Sequence, residues 1–299
     1  MPFRIIRHIA AAAHLGEAPL WLPASGVFLW LDLHGREVHR FDPQSGSDRV
    51  VASGFTENLA CLVRLNDGFV LLVTATQFLR LDPASGVTTP LPAALRPTAG
   101  TCFNDGKVAP DGALWIGTSD VGEVDPAGSL YRVSASGAEC VDRGFVVANG
   151  PAFSPDGGAA YFADTVGGRI LRYALDAAGR PVERTLFAKV PADKGMPDGM
   201  TTDSDGLLYS AHWQGSCISV RDPEGTTVET IALPAGNVTS CAFGGEDGSL
   251  LLATSAARDD DDGPSSPHGD AFVLRGQSRG MPEPQFDSAW LGREGPPQP

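Results

Sequence analysis

The sequence predicts an all-β fold, a six-bladed β-propeller of four-stranded blades around a central channel, in a single domain over 1–299. Three observations predict it. A turn ending in glycine, followed by a strand of large apolar residues, recurs six times; the glycines are Gly26, Gly68, Gly112, Gly157, Gly206 and Gly248, 42 to 49 residues apart. A unit of that length holding four short strands is the period of a propeller blade. Glycine (36) and proline (24) also fall singly between short apolar runs, which breaks every window before helical periodicity accumulates.

The blades are read in order. In the first, Val27-Phe28-Leu29-Trp30 follows the turn glycine and a partner strand ends at Asp42-Pro43. The second repeats this with Phe69-Val70-Leu71-Leu72 and Asp82-Pro83, and the third with Leu114-Trp115-Ile116 and Asp125-Pro126 in a variant position. Ala160-Tyr161-Phe162 marks the fourth, Leu207-Leu208-Tyr209 with Asp222-Pro223 the fifth, and Leu250-Leu251-Leu252 the sixth. Proline lacks the N–H a ladder needs, so each Asp-Pro stops a strand and sets a turn. The sixth unit is short of an outer strand. Residues 1–9, with the weakly alternating Phe3-Arg4-Ile5-Ile6-Arg7-His8-Ile9, are expected to supply it and close the ring, because an open array would expose a sheet edge. Residues 257–269, with the run Asp259-Asp260-Asp261-Asp262, are expected to form a flexible acidic loop without EF-hand spacing, and 288–299 a tail.

Composition excludes several functions. A net charge of -14 without a basic stripe argues against nucleic acid and an acidic membrane surface. No run is long enough to span a membrane, and the short Ile9–Ala13 stretch is too weak for a secretory core. Five widely spaced cysteines without a C-x-x-C pair suggest neither a disulfide framework nor a thiolate zinc site, so a cytoplasmic location is expected. Oligomeric state is not legible.

In a propeller the innermost strands begin at the channel. Counting back eight or nine residues from each turn glycine gives Glu17, Leu59 or Ala60, Asn104, Asn149, Asp198 and Ser240, five polar positions of six. Buried polar groups must be paired, solvated or bound to a cation. Two readings follow: the side chains cap inner strands by hydrogen bonding, or two carboxylates and an amide oxygen hold one divalent ion.

Gly16-Glu17-Ala18-Pro19-Leu20-Trp21, Phe103-Asn104-Asp105-Gly106-Lys107-Val108, Asn149 to Gly157, Pro197-Asp198-Gly199-Met200 and Asn237 to Gly245 resemble the signature segments of the regucalcin/gluconolactonase family, senescence marker protein-like propeller lactonases. Gly269-Asp270-Ala271-Phe272 and Pro282-Glu283-Pro284 resemble its closing segments. The resemblance implies a hydrolase that opens a sugar lactone (aldonolactone) to its hydroxy acid with one divalent metal, Ca, Zn, Mn, Mg or Fe, on Glu17, Asn149 and Asp198. It also implies that Asn104 contacts substrate or a bound water. Many such lactonases carry arginine two residues before that asparagine; here the position is Cys102, which changes the expected substrate contact from a five-donor fork to a weak thiol donor.

Asp198 is a candidate general base as well as a ligand, with Asn104 as its catalytic companion. Asn104, Cys102 and Glu123 are the candidate substrate contacts, and His212-Trp213 could line the mouth. Competing readings are a non-catalytic calcium- or partner-binding propeller and a metal-dependent ester or phosphotriester hydrolase. No H-E-x-x-H, G-x-S-x-G or phosphate-binding glycine loop is present.

Overall fold

The computed structural model describes residues 3–92, 95–258 and 266–291. It holds six antiparallel sheets of four strands each, a six-bladed propeller. Five blades are built from consecutive strands. The sixth takes its three inner strands from Asn237–Gly244, Leu250–Ala256 and Ala271–Arg275, and its outermost strand from Arg4–Ile9. No α-helix occurs among the described residues, only the 3-10 turns Ala192–Lys194 and Ser288–Trp290. No helix among them is long and apolar enough to cross a membrane.

Burial falls from the axis outwards, and the sequence follows it. Second strands such as Val27–Asp32 and Ala159–Asp164 are buried at every position, which is why they read as continuous apolar runs; both faces are covered by neighbouring blades. Outer strands such as Ser47–Ser53 are polar and largely exposed. The core therefore lies in seams between blades. Trp115 meets Phe153 and Tyr173 at the third and fourth, while Phe28, Trp30 and Val273 share the seam of the first and sixth. A fully buried large apolar side chain contributes roughly 1.5–3 kcal/mol, whereas an exposed pair such as Arg180–Asp176 is screened by solvent and adds little.

All six turn glycines have φ between 65° and 86°, a region that other residues enter at a cost. Asp42, Asp82 and Asp222 each accept backbone N–H groups two to four residues on, so the aspartate makes the turn and the proline fixes its entry. Asp125-Pro126 does not belong to this set. It lies between the second and third strands of its blade rather than between the third and fourth, in a loop whose N–H groups bond to Asp120.

The Arg4–Ile9 strand pairs with Ala271–Arg275, His8 stacks on Phe272 and bonds to Asp270 at 2.5 Å, and Phe3 packs edge-on to Tyr209. Deleting residues 1–9 removes all of this and leaves an unpaired strand edge. The melting temperature is expected to fall by more than about 10 °C, since a loss of several kcal/mol shifts a domain of this size by a few degrees each. An unchanged melting curve would show that the strand is dispensable.

Residues 276–291 run beneath the ring. Ser204 donates to Arg279 O, Gly280 bonds to Gly248, and Phe286, fully buried, exchanges backbone bonds with Arg64 and Asn66, so blades two, five and six are tied together. Residues 288–291 belong to this strap, with Leu291 buried. The acidic run Asp259–Asp262 and residues 292–299 lie outside the described residues.

Candidate active site

Every inner strand carries one extra residue close to its channel end. The register of pairing slips between Glu17 and Leu20, Leu59 and Cys61, Phe103 and Gly106, Asn149 and Ala152, Pro197 and Met200, and Val238 and Ser240. A bulge breaks strict alternation and re-aims the side chains around it. Six bulges at one level turn a ring of strands into a ring of inward-pointing groups.

Glu17, Asn104, Asn149 and Asp198 line one cavity of about 830 Å³ at the start of the inner strands. Each is held by short local bonds. Glu17 Oε2 accepts the N–H of Ala18 at 2.9 Å, and Asp198 Oδ1 that of Gly199 at 2.9 Å, leaving one oxygen of each carboxylate for another partner. Asn149 donates Nδ2 to Thr165 Oγ1 at 3.1 Å, which fixes its Oδ1 as acceptor; Asn104 donates to that Oδ1 at 2.9 Å and to Ala148 O at 2.8 Å. Ala18, left-handed at φ 49°, is the backbone deformation that lets Glu17 turn inward.

The electrostatics of this ring are unfavourable as they stand. Burial, then the Asp198 and Asp105 carboxylates, push the Glu17 carboxyl well above its ordinary value. Burial and then Asp105 do the same to Asp198. Asp105 is itself raised by burial, against the pull of the Lys107 ammonium and the N–H groups of Gly106 and Gly150. Lys107 enters from below and donates to Met200 O at 2.6 Å. Hard oxygen donors with a surplus of buried negative charge suit a divalent cation. Among the described residues no cluster of three or more His, Cys, Asp or Glu side chains is placed to hold a metal, so the candidate set is two carboxylates completed by an amide.

The remaining sequence candidates separate. Leu59 and Ala60 are buried in the core of blades one to three. Ser240 packs on the backbone of Gly199, and Asn237 lines the cavity for blade six instead. Glu123, with φ 54°, lines the mouth. Cys102 is not among the lining residues; its Sγ points to Ser119 O at 3.9 Å, and burial with the Glu123 and Asp120 carboxylates raises its thiol, which keeps it protonated. Trp213 lines the mouth but His212 faces the other way, bonded to Lys194 O at 2.7 Å and Ser219 Oγ at 2.8 Å and kept neutral by burial.

Strict alternation hides Asp105, which should point away when Asn104 points in. The doublet Asn104-Asp105 before Gly106 was the available sign of a bulge. His14, His34 and Arg258 also line the mouth, from loops without periodic signal.

A sequence profile described as the SMP-30/gluconolactonase/LRE-like region matches residues 15–257. The chain belongs to this family. Within it, the 6-deoxy-6-sulfogluconolactonase of Pseudomonas putida is 36% identical over 91% of this chain and 94% of that protein. The pentonolactonase of Haloferax volcanii is 32% identical over 86% of this chain and 87% of its own. The crystal structure of a calcium-binding protein, regucalcin from Agrobacterium tumefaciens, superposes with a TM-score of 0.86 at 31% identity, covering 94% of this chain and 97% of that one. The matched region contains all six bulges; the sixth blade's outer strand and the lower strap lie beyond it.

Proposed function

We propose that the protein hydrolyses a sugar lactone to its hydroxy acid, using one divalent cation held by Glu17, Asn149 and Asp198. The observation that carries this reading is the convergence of two buried carboxylates and an oriented amide oxygen on the floor of a cavity roomy enough for a sugar ring. Relatives named as lactonases support the reaction, and a relative described as calcium-binding supports the cation.

When bound, such a cation polarises the lactone carbonyl and makes a water molecule more acidic. The chain's own residues do the rest. Asn104 pins Asn149 and presents its Oδ1 to the bound molecule, while Glu123, Trp213 and Gln214 hold the sugar at the mouth. For the base role the Asp198 carboxylate must be held only loosely by the cation, so that its oxygen not bonded to Gly199 can take a proton from the attacking water. The water oxygen then bonds to the carbonyl carbon, the ring C–O bond breaks, and the proton passes to the departing ring oxygen, giving the open hydroxy acid.

Metal analysis followed by a pH-stat screen of five- and six-membered lactones tests this. One divalent ion per chain is expected, with acid release abolished by EDTA and restored by added metal. Tight binding of Ca, Mg, Mn or Zn with no ring opening of any lactone or simple ester would reject the enzyme reading and leave a cation-binding propeller.

A further inference from the structure

A second cavity, of about 260 Å³, lies at the other end of the inner strands, between blades three to six and the strap. It shares no lining residue with the upper cavity. Its walls are mostly apolar, with Phe153, Phe243, Pro110, Pro155 and Met281 among them. Three polar side chains interrupt them. Lys107 has three N–H groups, of which one donates to Met200 O at 2.6 Å, and no carboxylate among the described residues lies within ion-pair contact of it. Thr201, only 8% exposed, makes no hydrogen bond through its hydroxyl among those residues, and neither does the Glu283 carboxylate. Glu283 is nevertheless firmly placed. Its backbone O accepts Arg64 Nη1 at 2.8 Å, and Pro282 and Pro284 on either side restrict its backbone.

An ammonium from the ring and a carboxylate from the strap, set in apolar walls, select for a molecule that carries both charges and an apolar body. A simple anion drawn to Lys107 would face Glu283, and a simple amine drawn to Glu283 would face Lys107. We propose that the lower cavity is a binding site for a small α-amino acid with an apolar side chain, its carboxylate on Lys107 and Thr201, its ammonium on Glu283 and its side chain against Phe153 and Phe243. The volume suits one such molecule, and the proline-rich walls hold the shape of the site before the ligand arrives, which lowers the cost of ordering it. Binding there needs nothing from the upper cavity.

The test titrates L-leucine, L-proline and L-phenylalanine into the protein by calorimetry, with and without EDTA. At least one is expected to bind with a Kd of about 1 mM or tighter. The affinity should be the same in both conditions, because an amino acid chelating a cation in the upper cavity would be lost with EDTA. The tightest binder is then compared with its analogues lacking one charge (for leucine, 4-methylpentanoate and 3-methylbutylamine), which should bind about tenfold more weakly. Lys107→Met should weaken the amino acid and the acid about tenfold and spare the amine, while Glu283→Gln should weaken the amino acid and the amine and spare the acid. That crossed pattern assigns each charge to its residue, whereas a merely damaged fold would weaken all three ligands alike. Glu283→Gln alters only the strap, so it carries the test if Lys107→Met does not fold. No saturable binding of any of the three amino acids, an analogue that binds as tightly as its parent, losses without the crossed pattern, or binding abolished by EDTA overturns the proposal.

Discussion

Asp198→Ala is expected to lose the bound divalent cation and, with it, about a thousandfold or more of lactone kcat/KM. The carboxylate is one of two charged ligands in the proposed set, and the backbone bond from Gly199 holds it where no neighbour can replace it. Its removal should not unfold the protein. Asp198 is buried beside Glu17 and Asp105, and burial and mutual repulsion hold both Asp198 and Glu17 well above their ordinary carboxyl values, so the metal-free variant is expected to melt higher than the metal-free wild type at about pH 8. Metal content, melting temperature and acid release on the same preparation separate the roles. A variant that keeps its metal and loses only turnover assigns Asp198 the proton; loss of both assigns ligation. A variant that keeps both removes Asp198 from the site.

The metal-free wild type should be destabilised by alkali, the opposite of what most carboxylates do. Glu17 and Asp198 sit well above ordinary values of 4.5 and 3.8, with burial as the main cause, and Asp105 is raised from 3.8 in the same way. A folded-state value raised above the unfolded one means that the folded chain holds the proton more tightly. That contribution to stability is complete below the unfolded value and is lost as pH rises through the folded one. Surface carboxylates such as Asp42, Asp82 and Asp156 are lowered by hydrogen bonds and act in the other sense, losing their contribution only as pH falls below about 4. Above the ordinary carboxyl range the axial ring therefore lowers stability as pH rises, opposed by His212, which burial holds below its ordinary value. EDTA-treated protein should lose stability as pH rises there while metal-saturated protein should not, so the gap in melting temperature widens with pH. Metal uptake at about pH 6 should release protons to an indicator dye. A gap independent of pH would show that the carboxylates are already fully ionised without metal, and Asp105→Asn should narrow the gap.

Much of this was legible because the propeller repeats itself. The turn glycines sit at left-handed positions that demand them, and the residues eight or nine places earlier fall at one level of the channel, which brings Glu17, Asn104, Asn149 and Asp198 together. Two of the failures share one cause. Counting assumes that successive side chains alternate, and the bulges suspend alternation where the site lies. Asp105 enters the ring beside Asn104, and Asn237 lines the cavity in place of Ser240. Where alternation survives, it decides correctly between neighbours: Trp213 faces the cavity, so His212 must face Lys194 and Ser219. Arg258, His14 and His34 come from connecting segments whose position depends on distant backbone, such as the bond from Gly236 to His268, and no local pattern announces that.

Completing the sixth blade with the first strand has a consequence for the order of assembly. His8 and its partner Asp270 are 262 residues apart, so on the ribosome the opening strand must wait until nearly the whole chain has emerged before it finds its place. During that wait Ile5 and Ile6, on a strand with both edges free, are available to any other nascent chain. The early blades form from neighbouring strands and need no such delay. The last event in folding is then the zipping of one short segment, and a synthesis fault that removes Ala271–Arg275 leaves a nearly finished ring with an adhesive seam.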